Sequence, residues 1–338
     1  GLAAAASFTT NPLILLMLVA AAGLVVALRR GDHPWSRSFR LYVWLGVAIV
    51  VIRVVFRILF GGVEGGTVLM DLPQVPLPAW ATGVRLLGPV TAEGLLAGLY
   101  DGLRLATIVI CVGAANALAN PKRLLKSVPP ALYEVGTALV VAVTIFPQLA
   151  DSVRRVRAAQ ALRGGSTGGV RRLRRLLVPV LEDALERSLT LAAGMDVRGY
   201  GRAPGLTRAQ RWTTGALLLL ALCGICVGVY AVLDRTAPRV LAVPMLVAGA
   251  LAAVTGLVSA GRRVERTRYR PDRWLLPEVL VALTGLLTGY AGWLLVSQQP
   301  LVAHPAVDGW PVVSVLGLAG VLTAVLAGLL APPPRVVT

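Results

Sequence analysis

Charge is scarce in this 338-residue chain: Asp, Glu, Lys and Arg make up only 14% of it. Soluble globular domains carry roughly 25%. Hydrophobic residues reach 56% and the mean hydropathy is +0.75. A chain this apolar cannot hide its surface in one water-soluble core, and several of its runs approach about 20 residues, the length that crosses a bilayer. Acidic residues are scarcer still, 16 against 33 Lys and Arg, for a formal net charge of +17. In a soluble chain that excess points to nucleic acid. Here the basic residues cluster between apolar runs, which is topogenic charge of the positive-inside kind. The expected partner is the lipid bilayer, and no nucleic acid.

Metal and nucleophile chemistry is equally thin. There are three Cys and two His. Cys223 and Cys226 form a CxxC, but within the apolar run Ala216–Val232. Metal or redox CxxC pairs need a polar, turn-rich setting and usually a second ligand pair. His33 and His304 stand in separate loops. No GxxxxGK[ST] occurs, and Gly164–Gly169 lacks the Lys of a phosphate loop. HExxH and GxSxG are missing too. No catalytic residue, cofactor or metal is expected, and the chain should not hydrolyse ATP.

What is present is a succession of membrane-length segments. Pro12–Leu28 and Leu41–Phe60 are the first two, the second carrying Arg53 and Arg57, four apart and so on one helix face. Charge at membrane depth is costly and normally faces protein or water. Gly61–Pro89, with closely spaced Pro73, Pro76 and Pro78, reads as an irregular loop or re-entrant piece. Ala92–Leu118 carries Glu93 as well as Asp101 and Arg104, whose spacing allows a pair on one helix. Asn120–Pro130 reads as a turn, and Ala131–Ala150 is the fourth run. Later, Trp212–Leu233 pairs with Val240–Ala260, and Leu275–Val296 with Val312–Leu330, as two apolar hairpins. Gly98/Gly102, Gly224/Gly228 and Gly285/Gly289 are small-xxx-small pairs that allow close helix approach. Gly1–Ser7 reads as the tail of a helix and lacks a signal peptide's basic region.

Between the fourth run and Trp212, apolar character stops for about sixty residues. Asp151–Arg211 holds thirteen Arg and five acids, the largest basic excess in the chain, and is expected to be cytoplasmic. Gly261–Arg273 then lies on the same side. Charge alone leaves the N-terminal topology open. Asp151–Arg163 reads as a basic helix that Gly164 is placed to end. A second helix follows, with Val170, Leu173, Leu177, Val180, Leu181, Leu185, Leu189 and Met195 at steps of three and four, one apolar stripe. Arg171, Arg172, Arg174, Arg175, Glu182, Asp183, Glu186 and Arg187 form the opposite face. Pro179 inside this pattern predicts a kink or a split. The helix ends at Arg198-Gly199. Two helices thus end in the same device, Arg followed by Gly: Arg163-Gly164 and Arg198-Gly199. Plain dipole complementation and capping would account for one such pair. Two, bracketing an amphipathic hairpin in a membrane protein, suggest a docking role.

These residues carry a family resemblance. Ala158–Gly164 (AAQALRG), Leu177–Glu182 (LVPVLE) and Leu191–Tyr200 (LAAGMDVRGY) resemble the coupling region of the transmembrane T component of energy-coupling factor transporters, including its cobalt and nickel branch. Thr91–Leu95 through Arg104, Asn120-Pro121 and Phe146-Pro147 resemble the same family. The likeness covers Pro89–Gly201 well and the first two runs loosely. The family's short motif usually reads Ala-Arg-Gly, whereas Leu162 and Val197 precede the Arg here. The resemblance implies an all-α polytopic membrane protein with a cytoplasmic coupling-helix insertion. It implies N-terminal membrane helices over 1–150, coupling helices over 151–211 and C-terminal hairpins over 212–338. The implied partners are two cytoplasmic ABC ATPase subunits, docked on Arg163, Gly164, Arg198 and Gly199, and a small substrate-binding membrane subunit. Leu173, Leu177, Val180, Leu181, Leu185 and Leu189 would pack on coupling helices or on that subunit. The location would be the bacterial plasma membrane, and the transported substrate a vitamin, cobalt or nickel. The competing expectations are a stand-alone carrier and an integral-membrane enzyme using Glu93, Asp101, Arg104 and Glu134.

Overall fold

The computed structural model describes residues 1–29, 38–60, 67–73, 87–119, 124–125, 128–162, 170–199, 207–234, 239–261 and 275–332. In chain order the elements are α1 (Leu2–Ser7), α2 (Pro12–Arg29), α3 (Phe39–Leu59), β1 (Val68–Asp71), β2 (Pro89–Thr91), α4 (Ala92–Leu118), a single 3-10 turn at Pro130–Leu132, α5 (Tyr133–Leu162) and α6 (Val170–Val197). Then come α7 (Arg208–Leu233), α8 (Arg239–Gly261), α9 (Leu276–Gln298), α10 (Pro300–Ala303) and α11 (Val315–Leu330). Seven helices among the described residues are long and apolar enough to span a membrane; α11, at 16 residues, is apolar but shorter. The chain is an all-α multi-pass membrane protein.

Two compact units form, one from residues 1–120 and 272–338, the other from 121–271. In the first, α2 packs on α4 and α11, while α1 lies against α4 and α9. Ile14, Leu15, Leu18 and Ala21 of α2 meet Leu295 of α9, and Val321 and Ala324 of α11, in its apolar centre. Buried polar groups lock the N-terminal turn. Asn11, wholly buried, donates through Nδ2 to the carbonyls of Val302 and Val312, both at 2.9 Å. Thr9 Oγ1 donates to the Ala303 carbonyl at 2.7 Å. Within a membrane such carbonyls have no water to turn to, so each bond replaces one that would otherwise be lost.

The α3–α4 contact is set by glycine. A Cβ at Gly102 would stand 3.1 Å from the Val50 Cα, one at Gly98 would stand 2.7 Å from the Arg57 Cγ, and one at Gly113 would overlap Tyr42. The stems of Arg53 and Arg57 therefore lie across the α4 glycine face. The guanidinium of Arg57 reaches Asp101 on α4 at 3.9 Å. This corrects the expected Asp101–Arg104 pair: Arg104 donates to the Ser7 carbonyl of α1. Spacing along one helix allowed the local pair, but two neighbouring segments offered each side chain a partner.

The segment before α4 also differs from expectation. Val68–Asp71 and Pro89–Thr91 form a two-stranded antiparallel ladder, where sequence suggested an irregular or re-entrant piece. Residues 74–86 lie outside the description. Thr91 ends β2 and caps α4, its Oγ1 accepting from the Gly94 N–H at 3.2 Å.

In the second unit, α7 and α8 pack along one another, and α8 also touches the turn before α5. A Cβ at Gly224 would be 3.0 Å from the Gly249 Cα, and one at Gly228 would be 2.6 Å from the Leu246 Cγ. Gly224/Gly228 therefore serves close approach, as its spacing suggests. In the first unit, a Cβ at Gly285 would meet nothing within 4 Å, and the tight position on α9 is Gly292, where a Cβ would stand 2.8 Å from the Ala5 Cα.

The coupling hairpin of the candidate functional site

The fourth apolar run and the basic helix expected after it are one element. The helix α5 runs unbroken for 30 residues with Pro147 inside it, and α6 for 28 residues through Pro179. A split at Pro179 does not occur; the helix tolerates the lost hydrogen bond.

The two helices meet through polar groups. Asp183 on α6 accepts from Arg155 Nη2 of α5 at 3.2 Å, and from Arg187 Nε one turn along α6 at 3.0 Å. The Ser152 hydroxyl, almost wholly buried on α5, donates to the same carboxylate. Arg187 Nη1 reaches Gln148 Oε1 at 3.4 Å. Gln148, Ser152 and Arg155 are spaced four and three apart and share one face of α5; Asp183 and Arg187 share one face of α6. Pairing Gln148 with Arg187 and Ser152 with Asp183 makes the hairpin antiparallel. The Ser152 bond, followed by the bond and charge of Arg187 and the charge of Arg155, holds the Asp183 carboxyl below the usual carboxylate range. Val180, 7% exposed, is the apolar part of this contact.

Within the hairpin, α6 meets α5 through polar residues and not through the leucines of the stripe. Asp183 and Arg187, read from sequence as part of the solvated face, turn towards α5. Leu173, Leu177, Leu181, Leu185 and Leu189 are all exposed, by 45% to 63%. Among the described stripe side chains, only Val180 is buried. The ion-paired Asp183 and Arg187 outweigh the leucines at this contact because a hairpin of two helices cannot enclose a stripe of this width. That face is left for something else.

Beyond the Asp183 cluster the helices part. Gly136, Thr137, Val140 and Val141 of α5 face Thr190, Leu191, Gly194 and Met195 of α6 across a cavity of about 1070 Å³. Leu125, Val128 and Pro129 close it from the side, and Arg198 stands at its end. The helix stops at Val197. Arg198 follows in the turn, exposed. Gly199 takes φ +75°, and its N–H bonds to the Asp196 carbonyl at 2.9 Å. A left-handed residue at this point is what glycine favours. Val197 is 88% exposed, so none of the described residues covers this tip. Leu162, where α5 ends, is 90% exposed. Arg163 and Gly164 lie outside the described residues.

The groups weighed as an intramembrane enzyme's polar centre do not converge. Glu93 Oε1 accepts from the Thr67 N–H and hydroxyl at 3.1 and 2.9 Å, tying β1 to α4. Asp101 serves Arg57 and Arg104 serves Ser7. The Glu134 side chain lies outside the description. Cys223 and Cys226 are free and exposed on α7. Among the described residues no three His, Cys, Asp or Glu gather as a metal site would require.

Sequence missed Ser152, Gln148 and Asp183 as a unit. The signal was weak: an i,i+4 Asp-Arg pair on a helix otherwise rich in Arg, and a lone Ser among charges.

Spanning helices joined to an amphipathic hairpin, exposed among the described residues, make this a multi-pass membrane protein. The chain belongs to the CbiQ family, described as a cobalt transport protein, whose model matches residues 1–209. That is a transporter family and not an enzyme family. The energy-coupling factor transporter transmembrane protein EcfT of Leuconostoc gelidum is 27% identical over 199 residues, 52% of this chain and 74% of the relative. The EcfT of Limosilactobacillus fermentum is 25% identical over 226 residues, 61% and 76%. That of Exiguobacterium sibiricum is 29% identical over 154 residues, 39% of this chain and 59% of its own length. The family match ends as α7 begins.

Proposed function

We propose that this chain is the transmembrane coupling and scaffold subunit of an energy-coupling-factor importer in the bacterial plasma membrane. Two cytoplasmic ATPases dock on the tips of the coupling helices, at Arg163-Gly164 and Arg198-Gly199. A small membrane subunit binds the substrate, a vitamin or a transition metal ion, and lies against the exposed leucine face of α6. ATP-driven motion of the ATPases passes along α5 and α6 to that subunit. The chain hydrolyses nothing itself.

The observation that carries this reading is the free tip of α6. Arg198 presents a planar guanidinium with several donors, suited to carboxylate or carbonyl acceptors, on a turn that Gly199 shapes and that none of the described residues covers. The exposed leucines one face round the same helix are a second partner-facing surface, of the kind amphipathic helices offer to grooves. The names of the relatives support the same reading.

Co-purification tests it. The wild-type chain and an Arg163→Glu/Arg198→Glu variant are each expressed with candidate ATPases that carry phosphate loops. Charge reversal turns docking into repulsion, so the variant should stay in the membrane fraction and lose the ATPases. Retention at the wild-type level would reduce both Arg-Gly pairs to helix ends.

A further inference from the structure

The α5–α6 hairpin has one polar joint, and the two helices part just beyond it. Three donors converge on a single carboxylate: the buried Ser152 hydroxyl, Arg155 of α5 and Arg187 of α6. Arg187 in turn reaches back to Gln148. From Asp183 to Val197 there are fourteen residues, an arm of about 21 Å at 1.5 Å per residue. Along that arm α6 faces α5 across the 1070 Å³ cavity and not in contact with it. At the end of the arm stands Arg198.

We propose that Asp183 is the positioning residue of the hairpin: it fixes the point from which the free arm of α6 departs, and so sets where Arg198 is held. The leverage is geometric. Every 10° of change in the angle at Asp183 moves the tip of a 21 Å arm by about 4 Å. The cavity is the space into which the arm swings. Val140, Val141, Leu191 and Met195 give the cavity an apolar part beside the polar Thr137, Glu186 and Thr190, so the arm can shift there with few hydrogen bonds at stake, and Gly136 and Gly194 add no side-chain bulk to the lining. The joint has the opposite character. Its bonds are directional and charge-assisted, and they converge on one carboxylate from both helices. A stiff polar joint beside an open cavity makes a pivot. This inference rests on the coupling role proposed above, because the position of Arg198 matters only if something docks there.

The test measures the wedge directly, in the full-length chain without ATPases. Cys111, Cys223 and Cys226 are replaced by Ala. Spin labels are placed at Leu139→Cys on α5 and Val197→Cys at the end of α6, exposed sites outside the cavity lining. Pulsed electron resonance then reads the distance between them. Asp183→Asn should shift the mean by at least about 4 Å or clearly broaden the distribution, while Asp183→Glu, which keeps the carboxylate, should restore the parent distance. Ser152→Ala removes one donor and no charge, so it folds even if Asp183→Asn does not, and it should broaden the distribution. Parent-like distances in Asp183→Asn and Ser152→Ala would overturn the inference, and so would failure of Asp183→Glu to restore the distance. None of these results depends on ATPase binding. A failed co-purification with unchanged wedge behaviour would instead overturn the coupling role.

Discussion

Gly199 separates a docking tip from a simple helix end. Its φ of +75° lies in the left-handed region, and a Cβ added there would meet nothing within 4 Å. Gly199→Ala therefore creates no clash, and its whole cost is conformational, about 1–2 kcal/mol for placing an L-residue in that region. The turn is exposed, at the end of an arm that leans on nothing. The chain can relieve the strain by letting the turn relax, so global stability should barely change. Docking is different, because a bound ATPase must pay that cost to recover the turn. At 1.4 kcal/mol per decade, the affinity of the chain for its ATPases should fall about five- to thirty-fold. Gly199→Asn should lose less, since Asn tolerates the left-handed region best among non-glycine residues. The assay is a titration of the detergent-solubilised chain with fluorescently labelled ATPase, alongside a thermal melt of the chain alone. Unchanged affinity for Gly199→Ala would refute the reasoning. A large fall in melting temperature with unchanged affinity would mark Gly199 as a structural cap only.

Two further outcomes are expected. Asn11→Ala leaves the carbonyls of Val302 and Val312 unpaired in a wholly buried site. At about 1–3 kcal/mol for each unsatisfied group, it should destabilise the first unit by about 2–5 kcal/mol, read as a lower melting temperature in detergent; a loss under 1 kcal/mol would contradict the assignment. The hairpin joint should also fail in acid. The Asp183 carboxyl titrates below its ordinary value in the folded chain, so its contribution is complete above the unfolded value of about 3.9 and is lost as pH falls through the lower folded value. The wedge distance should be constant from pH 8 to about pH 5 and should change only below about pH 4; a change near neutrality would place the joint on another group.

Much of this protein was legible as a string. Length and apolarity fix the spanning helices, because a bilayer allows few ways to satisfy a backbone. The membrane runs at 12–28, 41–60 and 92–118 became α2, α3 and α4 with ends moved by only a few residues. Gly199 announced its turn because only glycine enters the left-handed region freely. The tip motif could be read for the same reason: Arg before a helix-ending Gly is a local pattern.

What sequence could not decide is which side chain meets which across helices. Asp101 sat three residues from Arg104 and bonded Arg57 instead, because α3 lies against the glycine face of α4. The apolar stripe of α6 left open whether its leucines meet another coupling helix or a separate subunit; in the fold Asp183 and Arg187 face α5 and the leucines are exposed. Helical periodicity shows which residues share a face, but not which face is covered. That depends on the neighbouring helix: Ser152 and Arg155 give Asp183 partners on α5, and no element among the described residues closes over Leu173, Leu177, Leu181, Leu185 and Leu189. The sequence determined the helices and their ends, which depend on local backbone chemistry. Only the tertiary structure decided the joint at Asp183, the wedge beyond it and the face left uncovered, because each arises between residues that the chain holds about thirty or more positions apart.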